Sequence, residues 1–193
     1  ESAGQVSGGT EALPNLPPAL AERYELGGLL GQGGFGQVWQ ARDRQLDRQV
    51  ALKITVSRGS GGLEAERWRL EAQSLARLRH PHVVTIHDFG LSASSDTAFL
   101  ILEWIDGDPL TQSLAAGAID KTQALEWFHS LAAGLSALHA AGIVHRDLKP
   151  DNILIERGTR RPVIIDLGAA IRQDTDWALR LTRTIEGIGS AGY

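Results

Sequence analysis

The sequence predicts an α+β fold in two parts: a five-stranded antiparallel sheet with one helix, then a mainly helical part. Two observations predict it. Between residues 24 and 104, five short apolar runs are separated by glycines or polar turns, with one stretch of helical spacing among them. Between residues 120 and 142, apolar residues recur at helical spacing instead, and two further short apolar runs follow beside polar loops.

The elements follow in order. The opening residues are rich in Gly, Ser and Pro without periodicity, and a disordered leader is expected over residues 1–19. Residues 24–30, 37–41 and 50–56 read as three strands, with glycines between the first two and a polar turn between the next two. Gly61 and Gly62 end this group. Residues 63–78 read as a helix with Leu63, Leu70, Leu75 and Leu78 at its apolar positions, and Pro81 prevents its continuation. Residues 83–91 and 97–104 suit two more strands, and the boundary between the parts falls near Gly107, giving 20–106 and 107–193. Asp120 is suited to an N-cap and Gly142 to a C-terminal stop. Between them lie Leu125, Phe128, Leu131, Leu135 and Leu138. The later apolar runs are 153–155 and 163–165.

Bulk properties exclude some classes. Of 193 residues, 42% are hydrophobic and 22% charged, an ordinary globular balance. A formal net charge of -4 argues against nucleic acid as a partner. Cysteine is absent, which removes disulfides and thiolate metal sites. No apolar stretch approaches the ~18 residues of a membrane span, so no membrane contact is expected within this segment. Methionine is absent, position 1 included, so the chain reads as a piece of a longer protein.

Gly31-Gln32-Gly33-Gly34-Phe35-Gly36 fits G-x-G-x-x-G. A plain hairpin turn would carry the same glycines. A dinucleotide fold needs a helix next, yet Gln37-Val38-Trp39-Gln40-Ala41 reads as a strand, and a Walker loop needs a Gly-Lys-Ser/Thr that is missing. What remains is a hairpin lying over a nucleotide, with glycines letting the backbone approach phosphate oxygens. Lys53 follows Gly31 by 22 residues, in the otherwise apolar Val50-Ala51-Leu52-Lys53-Ile54. A solvent-facing strand lysine fits this position, and so does a lysine kept for an anionic partner.

His145-Arg146-Asp147-Leu148-Lys149-Pro150-Asp151-Asn152 is more specific, because several fixed residues agree at fixed spacing with H-R-D-L-x-x-x-N. With the glycine hairpin and the V-A-I-K-like strand, it resembles the protein kinase superfamily. Lys149 makes it similar to serine/threonine protein kinases of the type found in bacteria and eukaryotes. The resemblance covers residues 24–193 and stops before the A-P-E motif, so a two-lobed fold with an incomplete helical C-lobe is expected.

The resemblance implies roles. Asp147 would orient a substrate hydroxyl and accept its proton, Lys149 would neutralise the transferring phosphoryl group, and Asn152 would offer a neutral oxygen to Mg²⁺. His145 is read as structural. Ile164-Ile165-Asp166-Leu167-Gly168 is similar to the magnesium-binding D-F-G, with Leu167 in place of Phe and Asp166 as the ligand. Lys53 would pair the α- and β-phosphates and take an acidic partner from the next helix. Glu64, Glu66 and Glu71 are candidates. The setting of Glu71, followed by Leu75, Leu78 and His80-Pro81-His82-Val83-Val84, resembles the family pattern, so Glu71 is chosen.

Around the adenine the resemblance places Leu30, Val38, Ala51 and Leu154. Leu102 becomes the gatekeeper and Glu103, Trp104 and Ile105 the hinge, where Glu103 and Ile105 would read the base through backbone groups. ATP and Mg²⁺ are the implied cofactors, with Mn²⁺ an allowed substitute. The partner is a protein with a Ser or Thr hydroxyl, and a dimer for trans-autophosphorylation is allowed. A cytoplasmic location follows, including the cytoplasmic part of a membrane-anchored protein. Arg146 suggests control by phosphorylation at Thr182 or Thr184, ahead of Thr175. Residues 189–193 resemble a substrate-binding loop, with Ser190 for the usual Thr. Two other readings stand beside this one: a nucleotide-binding scaffold without transfer activity, and a small-molecule phosphotransferase.

Overall fold

Alternation along the third run decides how the first sheet is oriented. Val50 and Leu52 are completely buried and join Leu20, Tyr24, Ala41 and Ile101 in a cluster on one face. Ala51 and Lys53, one step out of phase, turn to the other face. The computed structural model that gives this fold describes residues 14, 16–33, 36–56, 62–92, 97–117 and 119–167. Five strands, β1 (Tyr24–Gly33), β2 (Gly36–Asp43), β3 (Arg48–Val56), β4 (Ile86–Ser92) and β5 (Thr97–Glu103), form an antiparallel sheet in the order β1-β2-β3-β5-β4. The fold class is therefore as the sequence predicts.

A short helix, α1 (Pro18–Arg23), precedes β1 and lays Leu20 on the outer cluster. Its proline occupies the first turn, where a missing N–H costs nothing. The periodicity reading begins at Tyr24 and misses it, because six residues are too few to display a helical period. Arg23 fixes the helix by a fork onto Asp43, at 3.2 Å from Nε to Oδ1 and 2.8 Å from Nη2 to Oδ2. Asp43 is wholly buried and also accepts the Gln45 and Leu46 amides.

Helix α2 (Gly62–Arg77) lies against β4. Its core-facing side chains are Trp68, Ala72, Leu75 and Ala76, an i, i+4, i+7, i+8 stripe. The expected apolar position Leu70 is half exposed, because it lies off that stripe.

Three residues, 104–106, connect the first sheet to a second. The second sheet is β6 (Gly107–Pro109), β7 (Ile153–Glu156) and β8 (Pro162–Ile164), antiparallel in that order. Between β6 and β7 come α3 (Leu110–Ala115) and α4 (Lys121–Ala140). Asp120 caps α4 by accepting the Gln123 amide at 2.8 Å, and Gly142 leaves the helix at φ +74°. The inward stripe of α4 is Trp127, Leu131, Gly134 and Leu138. Leu125 and Phe128, expected on the apolar face, are 52% and 69% exposed, because that face is phased on Trp127.

One cluster joins the two sheets. It takes Ala72 and Leu75 from α2, Ile86, Leu100 and Leu102 from β4 and β5, Leu138 from α4, and Val163, Ile164 and Leu167 from β8 and just after it. The loop between α2 and β4 belongs to both sides. Its Val84 amide donates to Ile164 O and its His82 O accepts the Ile164 amide, each at 2.9 Å. No helix among the described residues is long and apolar enough to cross a membrane.

Candidate active site

The inner face of the first sheet supplies one wall. Val38 pairs with Lys53 across β2 and β3, and Ala51 pairs with Leu102 across β3 and β5, so all four share that face. Leu154 on β7 and Ala51 pack against the same joining cluster. Leu30, on the exposed edge strand, is 49% exposed. Ile105 is buried, and Glu103 and Trp104 are half-buried.

The glycines divide into two kinds. At Gly36, φ is +113° and a Cβ would lie 2.0 Å from Ile54 O, so the fold itself requires glycine. At Gly31 and Gly33 a Cβ would meet nothing within 4 Å among the described residues. No described neighbour demands glycine there, and the open backbone allows close approach by a ligand. Gln32 sits opposite Gln37 on the β1–β2 pair. Gly34 and Phe35 lie outside the described residues.

Lys53 is 4% exposed, so its ammonium needs a counter-charge. That charge is Asp166, whose Oδ1 accepts from Lys53 Nζ. Asp166 follows β8 with φ +57°, a left-handed turn that points its carboxylate into the cleft. Leu167 behind it is 4% exposed and fills a slot in the joining cluster with Leu75. The expected partner, Glu71, is carried by α2. It lines a groove of about 210 Å³ between α2 and residues 141–146, with Ser74, Ile143, Val144 and Arg146. In this conformation Lys53 forms an ion pair with Asp166. Asp166 reaches it because the loop after β8 turns toward β3. Among the other candidates, Glu66 pairs with Arg69 on the surface of α2, and the side chain of Glu64 lies outside the described residues.

The loop 143–149 and the 3₁₀ turn Pro150–Asn152 build the floor. His145 is buried; its Nε2 donates to Ile165 O at 2.9 Å and its Nδ1 accepts from the Asp147 amide at 3.4 Å. It is a structural tie between the floor and the segment carrying Asp166. Asp147 Oδ2 accepts from Lys149 Nζ at 2.9 Å and from Asn152 Nδ2 at 3.0 Å. Asn152 Nδ2 also donates to Asp147 O at 2.7 Å. The Lys149 ammonium, and after it the Asn152 amide, hold the Asp147 carboxyl below its ordinary range. The same bond raises Lys149. Asp147 is thus a carboxylate at neutral pH, aimed by two donors and one-third exposed.

The donor chemistry fits a divalent ion held on nucleotide phosphates. Both Asn152 bonds commit its nitrogen end, which leaves its carbonyl oxygen as a neutral donor to be used with the Asp166 carboxylate. Among the described residues no group of three His, Cys, Asp or Glu could hold a metal. Mg²⁺ suits such a sparse set, because it binds through one or two carboxylates and completes its shell with phosphates and water. Gly168, Thr175, Thr182, Thr184 and Ser190 lie outside the described residues.

Comparison with known proteins shows the family. The family described as protein kinase domain matches residues 24–186. The chain is 39% identical over 185 residues to the serine/threonine-protein kinase PknA of Mycobacterium tuberculosis, covering 93% of this chain and 42% of that protein. It is 37% identical to the serine/threonine-protein kinase PknB of Mycobacterium leprae, covering 92% of this chain and 29% of that one. It thus spans less than half the length of these relatives. The crystal structure of the Mycobacterium tuberculosis PknI kinase domain superposes with a TM-score of 0.64 at 25% identity, over 76% of this chain and 60% of that one.

Proposed function

The chain belongs to the protein kinase family, and from that premise we propose that the protein transfers the γ-phosphate of ATP to a Ser or Thr hydroxyl of a protein substrate. The observation that carries this is the pairing of four groups, two by two. Lys53 and Asp166 meet across 113 residues of sequence, and Asp147 and Asn152 are joined by two hydrogen bonds. A protein that only bound nucleotide would need no aimed carboxylate on the floor of the cleft.

In this reading the inner face of the sheet binds the nucleotide. Val38, Ala51 and Leu154 enclose the base with Leu30, and the backbone of residues 103–105 reads its edge. Residues 31–36 lie over the phosphates, and Lys53 orients them. Asn152 and Asp166 hold Mg²⁺, or Mn²⁺, which when bound supplies positive charge against the phosphate oxygens. Asp147 accepts a hydrogen bond from the substrate hydroxyl, aligns it for attack and takes its proton. Lys149 holds Asp147 as its anion and lies where it can face the transferring group. Residues 20–106 and 107–193 correspond to the two lobes, with Glu71 turning toward Lys53 in the catalytic conformation. Phosphorylation at Thr182 or Thr184 is the proposed control, and phosphopeptide mapping of the active protein checks it. A cytoplasmic setting, where ATP is supplied, accompanies this reading.

The test is γ-phosphate transfer by the full-length protein to a generic protein substrate, beside Asp147→Asn. Transfer by the wild type and its loss in the variant is expected. Equal transfer by the two would contradict the assignment.

A further inference from the structure

The turn between β7 and β8 grips both ends of the 104–106 connection. Arg161, just before β8, binds the last residue of β5: its Nη2 donates to Glu103 Oε1 at 3.1 Å. The same guanidinium forks onto Glu156, with Nε to Oε2 and Nη2 to Oε1 both at 3.0 Å, and donates from Nη1 to Pro81 O at 2.7 Å. The other oxygen of Glu103 accepts the Thr85 amide at 3.2 Å, and the Glu103 amide donates to Thr85 O at 2.8 Å. At the far end of the connection, the Arg157 amide donates to Asp106 O at 2.7 Å, and Arg157 Nη1 donates to Asp106 Oδ1 at 2.7 Å. Two arginines four residues apart therefore hold a three-residue strap from one hairpin.

Exposure separates their weights. Arg157 and Asp106 are 59% and 63% exposed, so water screens that pair. Arg161, Glu103 and Glu156 are 25%, 26% and 22% exposed, and the Glu156 fork keeps Arg161 in place whether or not Glu103 is present. A planar guanidinium pre-set in this way fixes direction as well as distance.

We propose that Arg161 is a positioning residue for nucleotide binding. Anchored on Glu156 and Pro81 O, it sets the orientation of residues 103–106, and with it the backbone groups that meet the base. This rests on the kinase reading, but the strap itself can be measured without any transfer reaction.

The experiment uses the full-length protein and reads three quantities: the Kd for ATP, the KM for ATP against kcat, and amide hydrogen exchange at 103–106. Arg161→Gln should raise the Kd and KM for ATP about tenfold while kcat changes far less, and should speed exchange at 103–106 selectively. Arg161→Lys should recover part of the affinity, and Arg157→Gln should change it by less than about twofold. Glu103→Gln should weaken binding, and the double variant should be no weaker than Arg161→Gln, because both remove one interaction. Wild-type Kd and exchange in Arg161→Gln would overturn the proposal. So would exchange accelerated evenly over both sheets, since that reports general destabilisation. If the wild type binds no ATP, the kinase reading fails, and exchange at 103–106 alone then upholds or overturns the strap.

Discussion

Lys53 and Asp166 form an ion pair that ties the middle of β3 to the segment following β8. Lys53 is buried and Asp166 is 29% exposed, so the pair sits at the inner end of a cleft, not in sealed core. The side chains most useful to a bound phosphate are thus already desolvated on one side and open on the other. Replacing Lys53 with Met keeps the apolar stem and removes the charge. Transfer should fall by roughly 10²-fold or more, as when one preorganised charge stabiliser is lost. The melting temperature should stay near wild type. Wild-type turnover in Lys53→Met would contradict the role given to this lysine.

Asp147 supplies a prediction in pH. Its carboxyl is held low, first by Lys149 and then by Asn152, so it is ionised throughout the neutral range. Its acid limb in kcat should lie below about pH 4, the ordinary aspartate range. Lys149→Ala removes the leading cause, so the limb should move to higher pH while kcat falls. A pH–rate profile of both proteins checks this. A limb that stays in place, or moves down, would show that Lys149 does not hold the carboxylate.

The two kinds of glycine should separate stability from binding. Gly36→Ala forces a side chain into φ +113° and against Ile54 O, and should lower stability by roughly 1–3 kcal/mol or more. Gly31→Ala and Gly33→Ala place their methyls in open space. Their melting temperatures should match or slightly exceed wild type, because alanine restricts the unfolded chain. Their KM for ATP should nevertheless rise. Thermal melts and ATP titrations of the three variants check this. Equal melts for all three would mean that the glycine at 36 is not demanded by the backbone.

Arg23 and Asp43 give the acid stability. Asp43 is depressed in the folded state by the Arg23 fork, then by the Leu46 and Gln45 amides. A carboxyl with a folded value below its unfolded one stabilises the fold above the unfolded value, about 3.9, and loses that contribution as pH falls toward the folded value. Stability should therefore decline below about pH 4, and Asp43→Asn should flatten that part of the curve. Arg23→Ala leaves a buried carboxylate unpaired and should destabilise by roughly 3 kcal/mol at neutral pH, less if water reaches it past the 30% exposed arginine. Urea unfolding at several pH values reads both effects.

Much of this molecule was legible in the sequence. Period-2 alternation in β3 is written directly into Val50, Ala51, Leu52 and Lys53. The Asp120 cap and the Gly142 stop have local chemistry that needs no tertiary knowledge. The seven-residue separation of His145 and Asn152 already fixes the floor. Other features were not legible, for physical reasons. Leu70, Leu125 and Phe128 have the same composition and spacing as core leucines, and only the phase of each helix against its sheet decides their exposure. β6 is three residues long and contains Pro109, so no propensity marks it as a strand. That Asp166 reaches Lys53 depends on where the loop after β8 turns, a long-range matter that composition does not encode. Arg161 was missed because its partners lie 5, 58 and 80 residues away, and no short motif links them.

The apolar cluster shared by α2, β4, β5, α4 and β8 has a consequence for how the protein comes apart. Two bodies joined only by a strap would melt in two steps, each at its own temperature. Here the strap 104–106 crosses beside an interior to which both sheets contribute, so neither can lose its half without exposing the other's. Calorimetry of residues 14–167 in the intact chain's context should find these elements unfolding as one cooperative unit. Swinging of the cleft and loss of the fold then belong to separate energy scales, because the first bends a connection and the second must open a common interior.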